Sequence, residues 1–572
     1  MRRRKQSKPG SVSIRAWLAG LTPILLVFGG AFTLYWFKGR GINVQDVQSS
    51  EKIIGLSLTA GERRMLLGSL RDNRRSYDTL HGILIPNDVP PAFQFNPRTA
   101  GVEVEAAEYA HRVQPYPSIR RPQNLDELAF WSLPALASLL RSGQITSTEL
   151  TRFFIDRLKR YGPRLECVVT LTEELALSQA RRADEELARG IDRGPLHGIP
   201  WGAKDLLSVK GYPTTWGAMP YKNRIIEEDA TVVRRLEEAG AVLVAKLTLG
   251  ALAMGDVWYG GKTRSPWHPE KGSSGSSAGP AAATAAGLVA FSIGSETWGS
   301  IVSPSTRCGL SGLRPTFGRV SRHGAMALSW TMDKIGPIGR SVEDCALVFS
   351  AICGPDGKDL TVVDQPFDWD PELALDGIRV GYLSKAFEGK EADGKNDRAV
   401  LDVLRSLGIE LIPIELPDLP VRSISFILDA EAAAAFDDLT RGNRDDLLVE
   451  QEKDAWPNIF RQARFIPAVE YIQANRLRTL YMKEMSERME GIEVFVAPAF
   501  GQDTLLATNL TGHPAVVVPN GPPDAERLSS ITFIGGLFKE AEMLRVAKAY
   551  QDATGFHLQH PDLDRTLEGK NE

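Results

Sequence analysis

Residues 271–318 read KGSSGSSAGPAAATAAGLVAFSIGSETWGSIVSPSTRCGLSGLRPTFG. No other stretch restricts the fold as tightly. Gly, Ser and Ala dominate it, a composition that in isolation describes a flexible linker. Two features exclude a linker: an apolar run at 288–293, and a position in the middle of the chain without flanking charge runs. Small side chains instead let backbones approach closely. They also leave backbone N–H groups accessible, as stabilisation of a developing oxyanion requires.

The surrounding pattern is regular from about residue 125 onward. Residues 148–161 and 231–239 have helical apolar spacing, and 241–245, 378–383, 409–414, 494–497 and 515–518 read as buried strands. Such alternation predicts an α/β fold, a mixed central β-sheet covered by helices on both faces. Residues 377–420 have a strand–helix–strand look and are placed at the start of a secondary lobe of the same domain. A chain of 572 residues, 43% hydrophobic and 24% charged, is ordinary for a globular protein with a large core. Its 67 basic and 71 acidic residues give a net charge of −4. There is no broad basic field to attract nucleic acid. Cys167, Cys308, Cys345 and Cys353 form no CxxC pair or disulfide framework and leave the redox compartment open. The eight histidines, His197, His323 and His513 among them, show no metal-ligand spacing such as HExxH, so no metal is expected.

The N-terminus differs in character. Arg2, Arg3, Arg4, Lys5, Lys8 and Arg15 precede an uncharged stretch at 17–37, bordered by Trp17, Tyr35 and Trp36. As a helix that stretch spans roughly 30 Å, about the thickness of a hydrocarbon core. The expectation is a basic cytoplasmic tail (1–16), a single-pass transmembrane anchor (17–37) and an extracytoplasmic main domain. A cleaved signal peptide competes with it, but the run is long for one and no A-x-A site follows. Residues 38–125 read as a linker or helical stalk, helical at 58–78 and irregular in the Pro-rich stretch 85–97. The main domain is expected over 126–565.

Several elements, taken in order, resemble the amidase signature family. They are Gly275-Ser276-Ser277-Ala278-Gly279, Gly294-Ser295-Glu296-Thr297-Trp298-Gly299-Ser300, Cys308-Gly309, and Gly312-Leu313-Arg314-Pro315-Thr316-Phe317-Gly318-Arg319-Val320. Gly198-Ile199-Pro200-Trp201-Gly202-Ala203-Lys204-Asp205 is similar to the family's lysine element, and Asn509-Leu510-Thr511-Gly512-His513-Pro514-Ala515 to its later one. The likeness extends over about residues 125–560. It implies an amidase-signature fold and hydrolysis of carbon–nitrogen bonds in linear amides, with no metal and no organic cofactor. Carried over by residue, it implies Ser300 as nucleophile, Lys204 as base and a bridging serine preceded by a cis peptide bond. Ser273, Ser274, Ser276 and Ser277 compete for the bridge; reading back from Ser300 without gaps selects Ser276, with Ser277 in support.

The chemistry suits these roles. A serine hydroxyl is a weak nucleophile until a base takes its proton. A lysine serves as base only when burial depresses its pKa. Backbone N–H groups of Thr297, Trp298, Gly299 and Ser300 are expected to hold the oxyanion. Asp205 either orients Lys204 or caps a turn. Lys246 follows a strand as well, without the family context. Trp298 stands where many members have glycine, Val302 where arginine is common, and Glu296 where aspartate is usual; Arg307 is a candidate to compensate for the lost arginine. The expected partners are a small-molecule amide and, through 17–37, a membrane, with oligomeric state left open. Two rivals stand beside the free-standing amidase. One is the glutaminase-type subunit of a tRNA-dependent amidotransferase, which needs a partner protein to complete it. The other is an inactive anchored binding protein on the same scaffold.

Overall fold

A computed structural model of the chain describes residues 41–54, 56–83, 86–87, 89, 93–98, 116–388, 395–523 and 528–568. They fall into two units divided between Pro86 and Asn87.

The first unit contains two helices, Val44–Ile54 and Ala60–His81. Each starts with a reciprocal cap. Asn43 Oδ1 accepts the Gln45 N–H while Asp46 accepts the Asn43 N–H; Thr59 accepts the Glu62 N–H while Glu62 accepts that of Thr59. Such caps satisfy orphan amide donors in the first turn. Arg63 clamps the two helices together through both oxygens of Glu51, at 2.5 and 3.0 Å.

The second unit is built on strands β1 (Val168–Leu171), β2 (Pro200–Lys204), β3 (Val242–Leu247), β4 (Val257–Trp258), β5 (Gly261–Lys262), β6 (Phe291–Glu296), β7 (Ser311–Arg314), β8 (Lys334–Gly339), β9 (Val380–Leu383), β10 (Leu411–Ile414), β11 (Val494–Pro498), β12 (Ala515–Pro519) and β13 (Ser530–Gly535). Strands β4 and β5 form a small hairpin. The other eleven form one sheet in the order β1-β3-β2-β6-β8-β7-β12-β13-β11-β9-β10. The sheet is mixed, as expected: β2 runs parallel to both β3 and β6, whereas β6 and β8 are antiparallel. In β2, β3, β8, β11, β12 and β13 every residue is buried, so both faces are covered. Strands covered on both faces lose the in–out alternation and read as continuous apolar runs. Residues 377–420 have the strand–helix–strand order expected, β9, the helix Lys395–Ser406 and β10, and join the main sheet through β11.

One expectation is corrected. No helix among the described residues is long and apolar enough to cross a membrane. The 22-residue Ala60–His81 helix has the length, but its sequence AGERRMLLGSLRDNRRSYDTLH is rich in charge, and ions are costly in hydrocarbon. The stretch 17–37 lies outside the described residues. The fold is therefore the mixed-sheet α/β fold without a membrane-spanning element among its described residues. The described residues give no support to the single-pass anchor, nor to the membrane partner and extracytoplasmic location that depended on it.

Candidate active site

Lys204 ends β2 and is fully buried. Parallel pairing of Ala203 with Ile293 brings the end of β6 alongside it. From the other side comes the loop leading into the Ala278–Ala285 helix. The peptide bond between Gly275 and Ser276 is cis, as the family resemblance implied. A Cβ on Gly275 would lie 1.7 Å from the Gly255 carbonyl oxygen, so only glycine fits there. These three segments converge on the Lys204 amine. Its Nζ lies 2.9 Å from Ser276 Oγ, 3.0 Å from Ser277 Oγ, 2.9 Å from Ser295 Oγ and 3.4 Å from the Ser295 carbonyl oxygen. All four are neutral oxygens. Burial pulls the amine's pKa down to about 7 against the opposing charges of Asp333 and Glu296. Near neutrality a large share of the amine is therefore uncharged.

Residues 297–300 form a turn between β6 and the Val302–Cys308 helix. Gly299 has φ +88, a left-handed conformation that favours glycine. The N–H groups of Trp298, Gly299 and Ser300 find no acceptor among the described residues. Those of Ile301 and Val302 are taken by Glu296 Oε2, at 2.8 and 3.0 Å. Thr297 Oγ1 donates to Asp333 at 2.6 Å, which holds the start of the turn. The Ser300 carbonyl accepts the Ser277 N–H at 3.1 Å and ties the turn to the bridging-serine loop. Ser300 is 9% exposed, and Trp298, at 39%, is the open residue of the turn. Lys204, Ser276 and Ser277 are thus in direct contact. Ser300 joins them through its backbone, and its Oγ makes no hydrogen bond to Ser276 among the described residues.

Asp205 does not touch Lys204. Its Oδ2 accepts the Thr215 N–H at 2.9 Å and the Thr215 hydroxyl at 2.5 Å, and its Oδ1 lies 2.8 Å from Lys246 Nζ, off the hydrogen-bond line. Four further residues complete the site: Ser295, Arg314 and Asn509, which lie in the quoted motifs without an assigned role, and Asp333, which lies outside them. Arg314 and Asn509 both donate to Glu296 Oε1, at 2.7 and 2.8 Å. Burial raises the pKa of Glu296, but Arg314, Asn509 and the turn amide outweigh it and leave the carboxyl at about 2. The cation facing Glu296 is therefore Arg314, not the exposed Arg307. Val302, in place of an arginine, packs with Ala499 and Val517. Asn509 sits in a glycosylation sequon, yet its buried amide is engaged with Glu296 and has no access to solvent.

Comparisons with known proteins give the class to which this fold and its buried amine belong. The Amidase family model matches residues 149–523. The chain is 35% identical over 472 residues to a glutamyl-tRNA(Gln) amidotransferase subunit of Roseiflexus sp. (strain RS-1), covering 74% of this chain and 96% of that one. Among solved structures it is similar to the native peptide amidase of Stenotrophomonas maltophilia (29% identity, 76% of this chain, 98% of that one, TM-score 0.68). It is also similar to the corresponding glutamyl-tRNA(Gln) amidotransferase subunit of Thermotoga maritima (25% identity, 74% and 95%, TM-score 0.62). The chain belongs to the amidase family and is an amidohydrolase.

Proposed function

We propose that this chain hydrolyses linear amides through an acyl-enzyme on Ser300, with Ser276 as proton bridge and Lys204 as base. The observation that carries the reading is a fully buried amine, with its pKa brought to about 7, that among the described residues contacts only neutral oxygens, the Ser276 hydroxyl among them. Uncharged Lys204 accepts the Ser276 proton while Ser276 takes that of Ser300. Contact between Ser300 Oγ and Ser276 Oγ closes when substrate binds, since catalytic hydrogen bonds are often loose in free enzymes. Ser300 Oγ attacks the carbonyl carbon, and the oxyanion is held by the N–H groups of the 297–300 turn, each donor contributing roughly 3 kcal/mol. Collapse breaks the C–N bond, the relay returns its proton to the leaving amine, and water, activated the same way, releases the acid.

Ser300→Ala is expected to abolish turnover of an amide panel while the fold, followed by circular dichroism, is kept. A fluorophosphonate probe should label the wild type at Ser300. Undiminished turnover in the variant sinks the assignment.

A second reading concerns the setting. Identity of 35% along nearly the whole length of the Roseiflexus amidotransferase chain favours a protein that cleaves the glutamine side-chain amide and passes ammonia to a partner, and the sequence relatives weigh toward it over a free-standing hydrolase. Glutamine hydrolysis by the purified chain, by itself and with amidotransferase partner proteins, decides between them: stimulation by partners supports this setting, and indifference to them removes it.

A further inference from the structure

A cavity of about 140 Å³ adjoins the oxyanion turn. Ser295 and Thr297 line it, so it borders both the Lys204 contacts and the segment that carries Ser300. Its walls include Leu206, Ala253, Met326, Leu328 and Ile335. The exposed Lys358 and Leu360 mark the side open to solvent. Asp333, Lys334, Arg322 and Asp359 also line it: Asp333 accepts from Thr297 Oγ1, and Lys334 donates to the Met332 carbonyl. Arg322 donates to Asp359 at 2.9 Å, to the Trp330 carbonyl at 2.7 Å and to Thr361 Oγ1 at 3.0 Å.

One wall comes from a part of the chain that precedes the family-matched region. Gln94 lines the cavity. Nearby, the Asn87 side chain pairs with the Ala327 backbone on both sides: Oδ1 accepts its N–H at 2.7 Å and Nδ2 donates to its carbonyl at 2.9 Å. Phe95 lies under the Arg478 guanidinium at 3.7 Å and edge-on to Phe317 at 5.0 Å. Asn87 thus braces Ala327, which lies between the wall residues Met326 and Leu328.

We propose that this cavity seats a compact apolar group of the amide substrate, an aryl ring or a branched alkyl of about benzene size. The inference rests on the amide-hydrolysis reading above. An apolar cavity of about 150 Å³ in an unrelated protein stays dry and binds benzene, so the volume here accommodates one ring and not two. Arg322, Asp359 and Asp333 already have partners and Lys358 stands on the solvent side, so a charge carried among the apolar walls, such as the ammonium and carboxylate of free glutamine, is costly to desolvate. A hydrophobic pocket discriminates by roughly 10- to 200-fold. The preferred substrate is therefore a ring-bearing or branched amide, not glutamine.

The test is kcat/KM of the purified full chain for benzamide, acetanilide, acetamide and glutamine. At least one ring amide should exceed both acetamide and glutamine about tenfold; which one does so tells whether the acyl or the amine side fills the cavity. Met326→Trp should lower the ring amide at least tenfold and leave acetamide within about threefold. Met326→Ala should shift preference toward naphthyl amides, and it decides alone if the tryptophan variant fails to fold. Acetamide or glutamine turned over as fast as the ring amides, or a ring preference unmoved by Met326→Ala, overturns the inference while hydrolysis itself stands. A wild type that cleaves none of the four and takes no fluorophosphonate label ends the hydrolysis reading and this inference with it.

Discussion

Two fully buried lysines stand on neighbouring parallel strands, Lys204 on β2 and Lys246 on β3, where Ala203 is paired with Lys246. Burial lowers the pKa of both. Their contacts differ. Lys246 Nζ has the Asp205 carboxylate at 2.8 Å, with the Pro213 carbonyl at 2.7 Å and Thr214 Oγ1 at 2.6 Å. Lys204 Nζ has three hydroxyls and a carbonyl, and of the two carboxylates whose charge reaches it, Asp333 accepts from Thr297 and Glu296 is committed to Arg314. A contacting counter-charge keeps an amine protonated; its absence frees the lone pair. What separates a base from a structural cation here is the carboxylate in contact, not the depth of burial.

The contrast is broken most severely at Lys204. Lys204→Ala should reduce kcat by about 10³- to 10⁴-fold, the scale of removing one member of a catalytic unit, and abolish fluorophosphonate labelling, while the thermal midpoint holds or rises because a buried amine is gone. A variant within tenfold of wild type would show that another group is the base. Asp205→Asn attacks the other lysine. It leaves Lys246 buried without its counter-charge, a change that costs about 3–5 kcal/mol in such pairs. The expected readout is a lower urea midpoint; residual folded enzyme should keep its acid-limb pKa, because Asp205 does not touch Lys204. A shifted limb with unchanged stability would reverse the assignment of the two lysines.

These two lysines also show where the sequence was legible. Lys204, Ser276 and Ser300 lie inside ordered motifs, and the amine's contacts follow from them. The neighbour of Lys204 misleads. Lys204 is the last residue of β2 and Asp205 the first of the turn that follows, so the two, adjacent in the chain, face different partners. The Glu296–Arg314 pair depends on β6 and β7 lying on either side of β8, which no local pattern encodes. The pairing of Asn87 with Ala327 spans 240 positions and draws an apparent linker into the domain. Strand positions were the easier part, because strands covered on both faces appear as unbroken apolar runs, whereas the boundary of the N-terminal unit has no such signature.

A sharper test gives Lys204 what Lys246 has. Ser295→Asp sets a carboxylate where a hydroxyl now lies 2.9 Å from the amine. An opposite charge at that range raises a lysine pKa by about 1–3 units. Activity at neutral pH should then drop about 10- to 100-fold and return as the pH rises, the acid limb of kcat/KM moving up by the same number of units. A uniform loss at every pH would mean that the substitution damaged geometry and not protonation.

The smallest effect is in stability, and its sign follows from the direction of the Lys204 shift. The folded amine titrates near 7 and the ordinary value is 10.5. Below the lower value both folded and unfolded chains carry the proton, and Lys204 adds no pH dependence. Between the two values the unfolded chain binds a proton that the native state lacks, so native stability rises with pH, by at most about 1.4 kcal/mol per unit. In Lys204→Met that slope should vanish, leaving a curve flatter than wild type between pH 7 and 10.5. Lys246→Met removes a different proton, one beside Asp205, and leaves that buried carboxylate without its contacting cation. Its chief signature should be a drop in stability across the whole range, with the Lys204 slope still present. Urea midpoints measured at intervals of half a pH unit separate the two outcomes. Identical curves for the two variants would mean that the lysines are electrostatically equivalent, and the carboxylate contact would then lose its role in choosing the base.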